Sequence, residues 1–501
     1  MISYYKRTKI VATLGPAITQ KIWSLEMLND PQNKAMVKLA YQKMTEIIES
    51  GVNCVRLNFS HGDHNEHLVR IKIARDVAKK LNRYVSVMLD TKGPEIRVGK
   101  IKTGKALIKI GTKVTVNTLK PIVGDTQSFY ATDSTGKYNM ANDVKVGGTI
   151  LVDDGKLQLS IDAVDKINGI IKTIAKNTHT ISDKKRINLP NTAYSIPFLS
   201  PQDKDDILFG IKHKVDYIAA SFVNNADNIA QIRQVLDDNG GGNIQIISKI
   251  ESTNAIDNLD QILDATNGVM VARGDLALEI PYYDVPYWEK YIIRKCRYIG
   301  KPVIIATQML DSLEKNIQPT RAEVTDVFFA VERGADATML SGESANGLFP
   351  TFAVQTMREI DVKSELLFDY KRAIEFYFPK AKLVSYAKRI AKKIAKKLLP
   401  FGDDAAPSFP YGYVVIFSND KPIIWTLSNI RPAATIIVVT DDEELLTCFG
   451  INYAIQTYYV KDLNQAKTNP QKIALAAIKQ YQHNNEAKTL IYCNRKFQTL
   501  T

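Results

Sequence analysis

Lys249 and Glu251 stand two residues apart, and Arg273 and Asp275 repeat that basic–acidic spacing on the next apolar run. In an extended strand residues i and i+2 point the same way, so Lys249 and Glu251 turn to a common face. Glu251 and Asp275, at the ends of consecutive strands, can converge on one divalent cation. Two carboxylates completed by substrate and water oxygens suit Mg²⁺ (or Mn²⁺), a hard ion that keeps much of its shell open. A lysine beside such a centre can neutralise charge developing on a transferring phosphoryl group. The competing interpretation is a buried Lys–Glu ion pair with no chemistry, and the second pair at Arg273 and Asp275 argues against it. No GxxxxGK[ST], GxGxxG or HExxH motif is present, so any phosphoryl chemistry must rest on this other arrangement.

These side chains need rigid elements behind them. Short apolar runs occur at residues 10–14, 54–58, 85–90, 217–220, 244–249, 268–272, 303–307 and 337–340. Continuous Val/Ile runs of this length indicate buried parallel strands. Helical periodicity fills the intervals: Ala255, Ile256, Leu259, Ile262 and Leu263 form one apolar stripe, with Ser252 or Thr253 as its cap. Strand–helix alternation repeated in this way predicts an α/β fold, a (β/α)₈ TIM barrel, whose active sites gather at the C-terminal strand ends. Arg56, Asn58, Asp90, Lys249, Glu251, Arg273, Asp275, Thr307, Ser341 and Glu343 all fall there.

The interval between Asp90 and Tyr217 is too long for one helix. Strand-like runs at 106–110, 113–116 and 149–152, with turns at Asp154-Gly155 and Asn168-Gly169, predict an inserted small β-barrel domain. The expected division is a catalytic barrel over 1–93 and 198–366, the insertion over 94–197, and a C-terminal α/β domain over 367–501. Strands at 413–417 and 435–439 are the clearest in the last part.

Composition is that of an ordinary globular protein, with 45% hydrophobic and 24% charged residues in 501. No apolar run is long enough to span a bilayer, so no membrane role is expected. The four cysteines are scattered without a CxxC pair, which fits a reducing, cytoplasmic setting and argues against a zinc site. The formal charge of +13 is spread along the chain; it fits a small anionic substrate, and no nucleic acid is expected. The basic stretch from Lys382 to Lys397 is interleaved with apolar residues at helical spacing and is expected to be a solvated helix face.

The motifs resemble those of pyruvate kinases. The matching stretches run from Thr8-Lys9-Ile10-Val11 to Gly15-Pro16, then Arg56-Leu57-Asn58-Phe59-Ser60-His61-Gly62 and Leu89-Asp90-Thr91-Lys92-Gly93-Pro94-Glu95. They continue through Asn188-Leu189-Pro190, Ser248-Lys249-Ile250-Glu251, Ala272-Arg273-Gly274-Asp275-Leu276 and Ala306-Thr307-Gln308-Met309-Leu310, ending at Ser341-Gly342-Glu343. The resemblance implies phosphoryl transfer from phosphoenolpyruvate to ADP, giving pyruvate and ATP, in a cytoplasmic homotetramer. It implies Glu251 and Asp275 as Mg²⁺ ligands, Lys249 facing the moving phosphoryl group, and Arg56 gripping the phosphate. Gly274 and Asp275 would offer backbone N–H groups to the substrate carboxylate. Thr307 would lie near the carbon that is protonated, with Ser341 and Glu343 in the supporting proton network. Asn58, Ser60, Asp90 and Thr91 match a K⁺ site, Glu95 has the identity that accompanies K⁺ dependence, and His61 and Lys185 match nucleotide-side positions.

Each position also has a plainer role to compete with: Asp90 and Asn58 as helix caps, Thr307 as a buried hydroxyl, and the Arg321–Glu323 stretch as a structural ion pair. The pattern breaks at the extra residues around Trp23 to Lys38, at Ala277 and Asn191 where glycine is usual, and at Asn346 where lysine is common. In the third region, Ser418-Asn419-Asp420-Lys421-Pro422 lacks the glycine of an effector loop, adds an acid, and loses an N–H at Pro422. Weak or absent activation by fructose 1,6-bisphosphate is expected. The rivals are a lyase or aldolase on the same barrel and a catalytically dead RNA-binding protein.

Overall fold

The computed structural model describes residues 6–192, 194–401, 408–481 and 487–500. All eight expected runs form strands: β1 (Lys9–Thr13), β2 (Cys54–Asn58), β3 (Ser86–Asp90), β4 (Tyr217–Ala220), β5 (Gln245–Ile250), β6 (Gly268–Ala272), β7 (Val303–Ala306) and β8 (Ala337–Leu340). They pair in parallel and close, with β8 returning to β1 at Lys9 opposite Ala337. β3 and β4 lie side by side, Met88 opposite Tyr217, although the whole insertion separates them in sequence. Val11, Cys54, Met88, Tyr217, Ile247, Met270, Ile304 and Met339 fill the barrel's interior, making it a packed core rather than a pore. Ile451 of the C-terminal part joins that cluster, and the Tyr217 hydroxyl donates to the Cys448 carbonyl at 2.7 Å, so the C-terminal part plugs the N-terminal end of the barrel.

Ser252 caps a helix as expected, accepting from the Ala255 N–H at 3.1 Å. The stripe behind it is split into Thr253–Asp257 and Leu259–Ala265 at Asn258. The Arg321–Glu323 expectation is corrected. Among the described residues no ion pair joins these two; Glu323 closes a capping box with Thr320 on helix Arg321–Arg333 and binds the Ser312 hydroxyl and N–H. A carboxylate at N3 is better used on unpaired amides of the first turn than on a solvated arginine. The extra residues near the N-terminus form a short helix, Leu25–Asn29, capped by Ser24, and the start of helix Lys34–Ser50.

The insertion contains a second, seven-stranded closed barrel. Of its expected strands, Lys113–Asn117 and Thr149–Val152 belong to that barrel, whereas Lys105–Ile108 pairs with His179–Ser182 in a separate ribbon. Gly169 turns at φ 63°, and a Cβ there would meet Leu119 at 2.6 Å, so this corner requires glycine. In the C-terminal part a five-stranded sheet runs Ile455–Tyr459, Thr435–Thr440, Tyr413–Phe417, Thr489–Cys493 and Lys496–Leu500, with only the last strand antiparallel. The basic stretch forms helix Ser385–Lys397, burying Ala387, Ala391, Ile394 and Ala395 and leaving most of its lysines outward. Among the described residues no helix is long and apolar enough to cross a membrane.

A candidate active site at the barrel mouth

β5 ends in Lys249 and Ile250, with Glu251 next. The Lys249 ammonium donates to Ser221 Oγ at 2.7 Å and to Asp90 Oδ1 at 3.1 Å, and pairs with Glu251 Oε1 at 2.8 Å. Burial alone would lower its pKa, but Asp90 and Glu251 more than reverse this, so the lysine is held charged. Asp90 is 1% exposed. Its other oxygen accepts from Arg56 Nε at 2.7 Å, and Arg56 Nη1 reaches Thr13 Oγ1 at 2.9 Å. Burial would raise Asp90, yet Arg56 and Lys249 together hold it below the ordinary carboxylate value. Asp90 therefore knits two cations from different strands and is no helix cap; Asp63 caps the helix that follows Asn58.

Glu251 uses its second oxygen to accept from the Phe222 N–H at 2.8 Å. Burial pushes its pKa up, and nearby Asp275 pushes the same way against Lys249 and Arg186. Asp275 Oδ1 pairs with Arg186, which comes from the inserted barrel.

Gly274 and Thr307 are brought together. The Gly274 N–H donates to Thr307 Oγ1 at 2.7 Å, and that hydroxyl donates to the Ala306 carbonyl at 2.6 Å. Thr307 sits at φ 67° and Gln308 at φ 52°, costly backbone for a β-branched residue and a feature concentrated at functional sites. Arg273 braces this turn, donating to the Thr307 carbonyl at 2.9 Å while Asp326 and Glu289 hold its guanidinium. It supports the loop and does not share the Lys249 cluster. Glu343 accepts from the Leu310 and Ser341 N–H groups at 3.1 and 2.7 Å; burial raises its pKa. Both its oxygens clamp backbone here.

Asn58 and Asp90 are register partners across β2 and β3. Asn58 Oδ1 accepts the Ser60 N–H at 3.1 Å, and the Thr91 carbonyl accepts the Ser221 hydroxyl at 2.7 Å. The four expected oxygen donors thus lie on adjoining strand ends. His61 is exposed, and its carbonyl accepts from His67. Lys185 belongs to the insertion and is bound to Asp153 at 2.7 Å.

Glu279 closes the helix that begins at Arg273. Burial lifts its pKa to about 7, with Asp275 and Glu251 adding to the rise and Arg186 opposing it. The folded chain then keeps a proton that the unfolded chain releases above the ordinary value of 4.5, so this group makes stability fall as pH rises from about 4.5 to about 7. Glu279→Gln should gain on the wild type at pH 8 relative to pH 5 by on the order of 1 kcal/mol in denaturant unfolding. An equal stability difference at both pH values would contradict this.

A family model described as pyruvate kinase, barrel domain, matches residues 5–354. The chain belongs to the pyruvate kinase family. It is 51% identical over 497 residues to a pyruvate kinase of Mycoplasma pneumoniae, covering 98% of each chain. It is 48% identical over 497 residues to one of Mycoplasma genitalium, again covering 98% of each. Among solved structures it is similar to a crystal structure of a pyruvate kinase from Cryptosporidium parvum, with a TM-score of 0.85 and 30% identity over 99% of this chain and 96% of that one.

Where the chain departs from the pyruvate kinase pattern, the backbone absorbs the change. Asn191 sits at φ 56°, and asparagine is among the few residues that tolerate the left-handed region glycine would fill. Ala277 lies within helix Arg273–Glu279, and Asn346 ends the short helix Gly342–Ala345 by donating to the Gly342 carbonyl. Two contributors escape a search of strand ends: Ser221 and Arg186. Ser221 follows β4 directly, so the strand-end signal was present, but an isolated serine carries little weight. Arg186 lies in the insertion, and nothing in its local pattern points toward the barrel.

Proposed function

We propose that the chain transfers the phosphoryl group of phosphoenolpyruvate to ADP, yielding pyruvate and ATP as the last step of glycolysis. The observation that carries this is the buried cluster of Lys249, Asp90, Arg56 and Glu251 at the barrel mouth, with Asp275 alongside. Among the described residues no group of three or more His, Cys, Asp or Glu could hold a metal ion alone. Glu251 and Asp275 instead form a two-carboxylate donor set, which fits Mg²⁺ or Mn²⁺ completed by substrate and water oxygens. Such an ion would offset charge on the phosphate and on the enolate oxygen.

The remaining work falls to the chain's own groups. Lys249, charged and fixed by three partners, faces the phosphoryl group as it moves. Arg56 offers a guanidinium fork already oriented by Asp90 and Thr13. The Asp275 N–H, with the Gly274 N–H once it exchanges its bond to the Thr307 hydroxyl, receives the substrate carboxylate, and that hydroxyl lies beside them where the enolpyruvate carbon takes its proton. Ser341 and Glu343 shape the loop behind Thr307 and supply its proton network. His61 and Lys185 lie on the nucleotide side. Asn58, Ser60, Asp90 and Thr91 would hold K⁺, one carboxylate among neutral oxygens. The family resemblance supports a cytoplasmic homotetramer.

Regulation by a sugar bisphosphate is weak or absent on this account. The Asp420 carboxylate accepts the Ile423 N–H at 3.0 Å and the Tyr386 hydroxyl at 2.9 Å, so the chain's own acid caps helix Lys421–Asn429. A phosphate would meet that negative charge, and Pro422 withholds a donor. In a pyruvate-forming assay, replacing K⁺ by tetramethylammonium should lower turnover about tenfold or more, consistent with loss of a buried charge partner. Fructose 1,6-bisphosphate should leave half-saturation by phosphoenolpyruvate within about twofold. Full turnover without K⁺ would remove the K⁺ assignment, and a large bisphosphate shift would remove the effector assignment.

A further inference from the structure

Arg186 belongs to strand Arg186–Asn188 of the inserted barrel, hydrogen-bonded between Ile96–Val98 and Thr149–Val152. Its guanidinium nevertheless leaves that barrel and reaches the mouth of the catalytic one. There Nη1 donates to Asp275 Oδ1, and the guanidinium carbon lies 4.8 Å from the centre of the Phe222 ring. Phe222 is itself the residue whose N–H holds Glu251. A cation carried by a different barrel therefore binds one of the two carboxylates assigned above to the divalent ion, and lies over the ring of the residue that holds the other.

We propose that Arg186 is a built-in counter-cation of the Glu251–Asp275 pair, competing with the divalent ion for Asp275 and tying the inserted barrel to the mouth of the catalytic barrel. The inference rests on the assignment of Glu251 and Asp275 as the ion's ligands. Its physical basis is simple. A divalent ion at Asp275 must displace the Arg186 hydrogen bond or bind beside a positive charge, and both lower its affinity. Displacement also releases the Asp275 contact that ties Arg186 to the catalytic barrel, so ion binding and the looseness of the insertion become linked. Arg186 is a positioning residue in this scheme: it sets how tightly the metal pair is held, and no bond to the reacting atoms is assigned to it.

The test is Mn²⁺ binding to the full-length protein, followed by electron paramagnetic resonance of the free ion, without substrates. Arg186→Met and Arg186→Gln should bind Mn²⁺ about tenfold more tightly than wild type, whereas Arg186→Lys, which keeps the charge, should stay within about threefold. Amide hydrogen exchange in strand Arg186–Asn188 and its two neighbours should be faster in the Met and Gln variants than in wild type when Mn²⁺ is absent. Asp275→Asn is the control and should lose most Mn²⁺ binding. If that control loses the ion while Met and Gln leave affinity unchanged or weaken it, the Arg186 proposal falls and the carboxylate assignment stands. If Asp275→Asn binds Mn²⁺ as wild type does, the assignment falls and takes the proposal with it. Tighter binding in Met, Gln and Lys alike would also overturn the proposal, because the effect would then not follow the charge.

Discussion

Lys249→Met lowers turnover of phosphoryl transfer by about a thousandfold while leaving a folded chain, because it removes a charge fixed where the phosphoryl group passes. The ammonium has no freedom to be replaced: Ser221, Asp90 and Glu251 hold it within 3.1 Å. Methionine matches the volume of the stem and cannot donate. The loss should appear in turnover more than in half-saturation, since the charge it offsets develops during transfer. Asp90 keeps Arg56 as a partner at 2.7 Å, and Glu251 keeps the Phe222 N–H, so the barrel tolerates the change. Glu251, already pushed up by burial, loses its nearest cation and should titrate higher still. Steady-state rates at saturating substrate, with circular dichroism to show the fold, check this. A rate within tenfold of wild type would mean that Lys249 is only a structural cation.

Asp90→Ala is expected to cost about 3–5 kcal/mol of stability, the range for removing one partner of a buried charge network. Two cations, Arg56 and Lys249, lose the same carboxylate, and the Ser221 hydroxyl loses an acceptor at 3.2 Å. Arg56 retains Thr13 and Lys249 retains Glu251, which keeps the cost from doubling. The pH dependence has a definite sign. Asp90 is held below its ordinary value of 3.8, so its stabilisation is present above that value and fades as pH falls through the lower, folded value. The wild type should therefore outdo the variant by the full margin at pH 7 and by less in strong acid. Urea unfolding at several pH values measures both, and a loss under 1 kcal/mol at pH 7 would show the network to be dispensable.

Much of this was legible in the chain. The eight barrel strands appear as apolar runs because each is buried on both faces, which erases the alternation of exposed sheets. Lys249, Glu251, Asp275, Arg56 and Asp90 stood out because a charged residue at the end of such a run must have a partner. Thr307 was found by position, but its positive φ was not, since nothing in a threonine announces left-handed backbone. What the sequence hides is direction. Arg273 follows the same spacing as Lys249 yet turns toward Asp326 and Glu289, because it opens a helix instead of extending a strand. Arg321 and Glu323 looked like an ion pair by proximity, and the capping box took Glu323. Arg186 joins a site formed by another domain, a contact fixed by tertiary packing and invisible to local pattern. In the C-terminal part, Asp420 stands out in the sequence as an intruding acid, and the structure gives it a use as the cap of helix Lys421–Asn429.

Phosphoryl transfer by this chain is measured as pyruvate formation from phosphoenolpyruvate and ADP in a coupled assay with Mg²⁺, run with and without K⁺. Turnover should require the divalent ion, rise with K⁺ and need ADP as acceptor. No pyruvate under any of these conditions, or pyruvate formed without ADP, would contradict it.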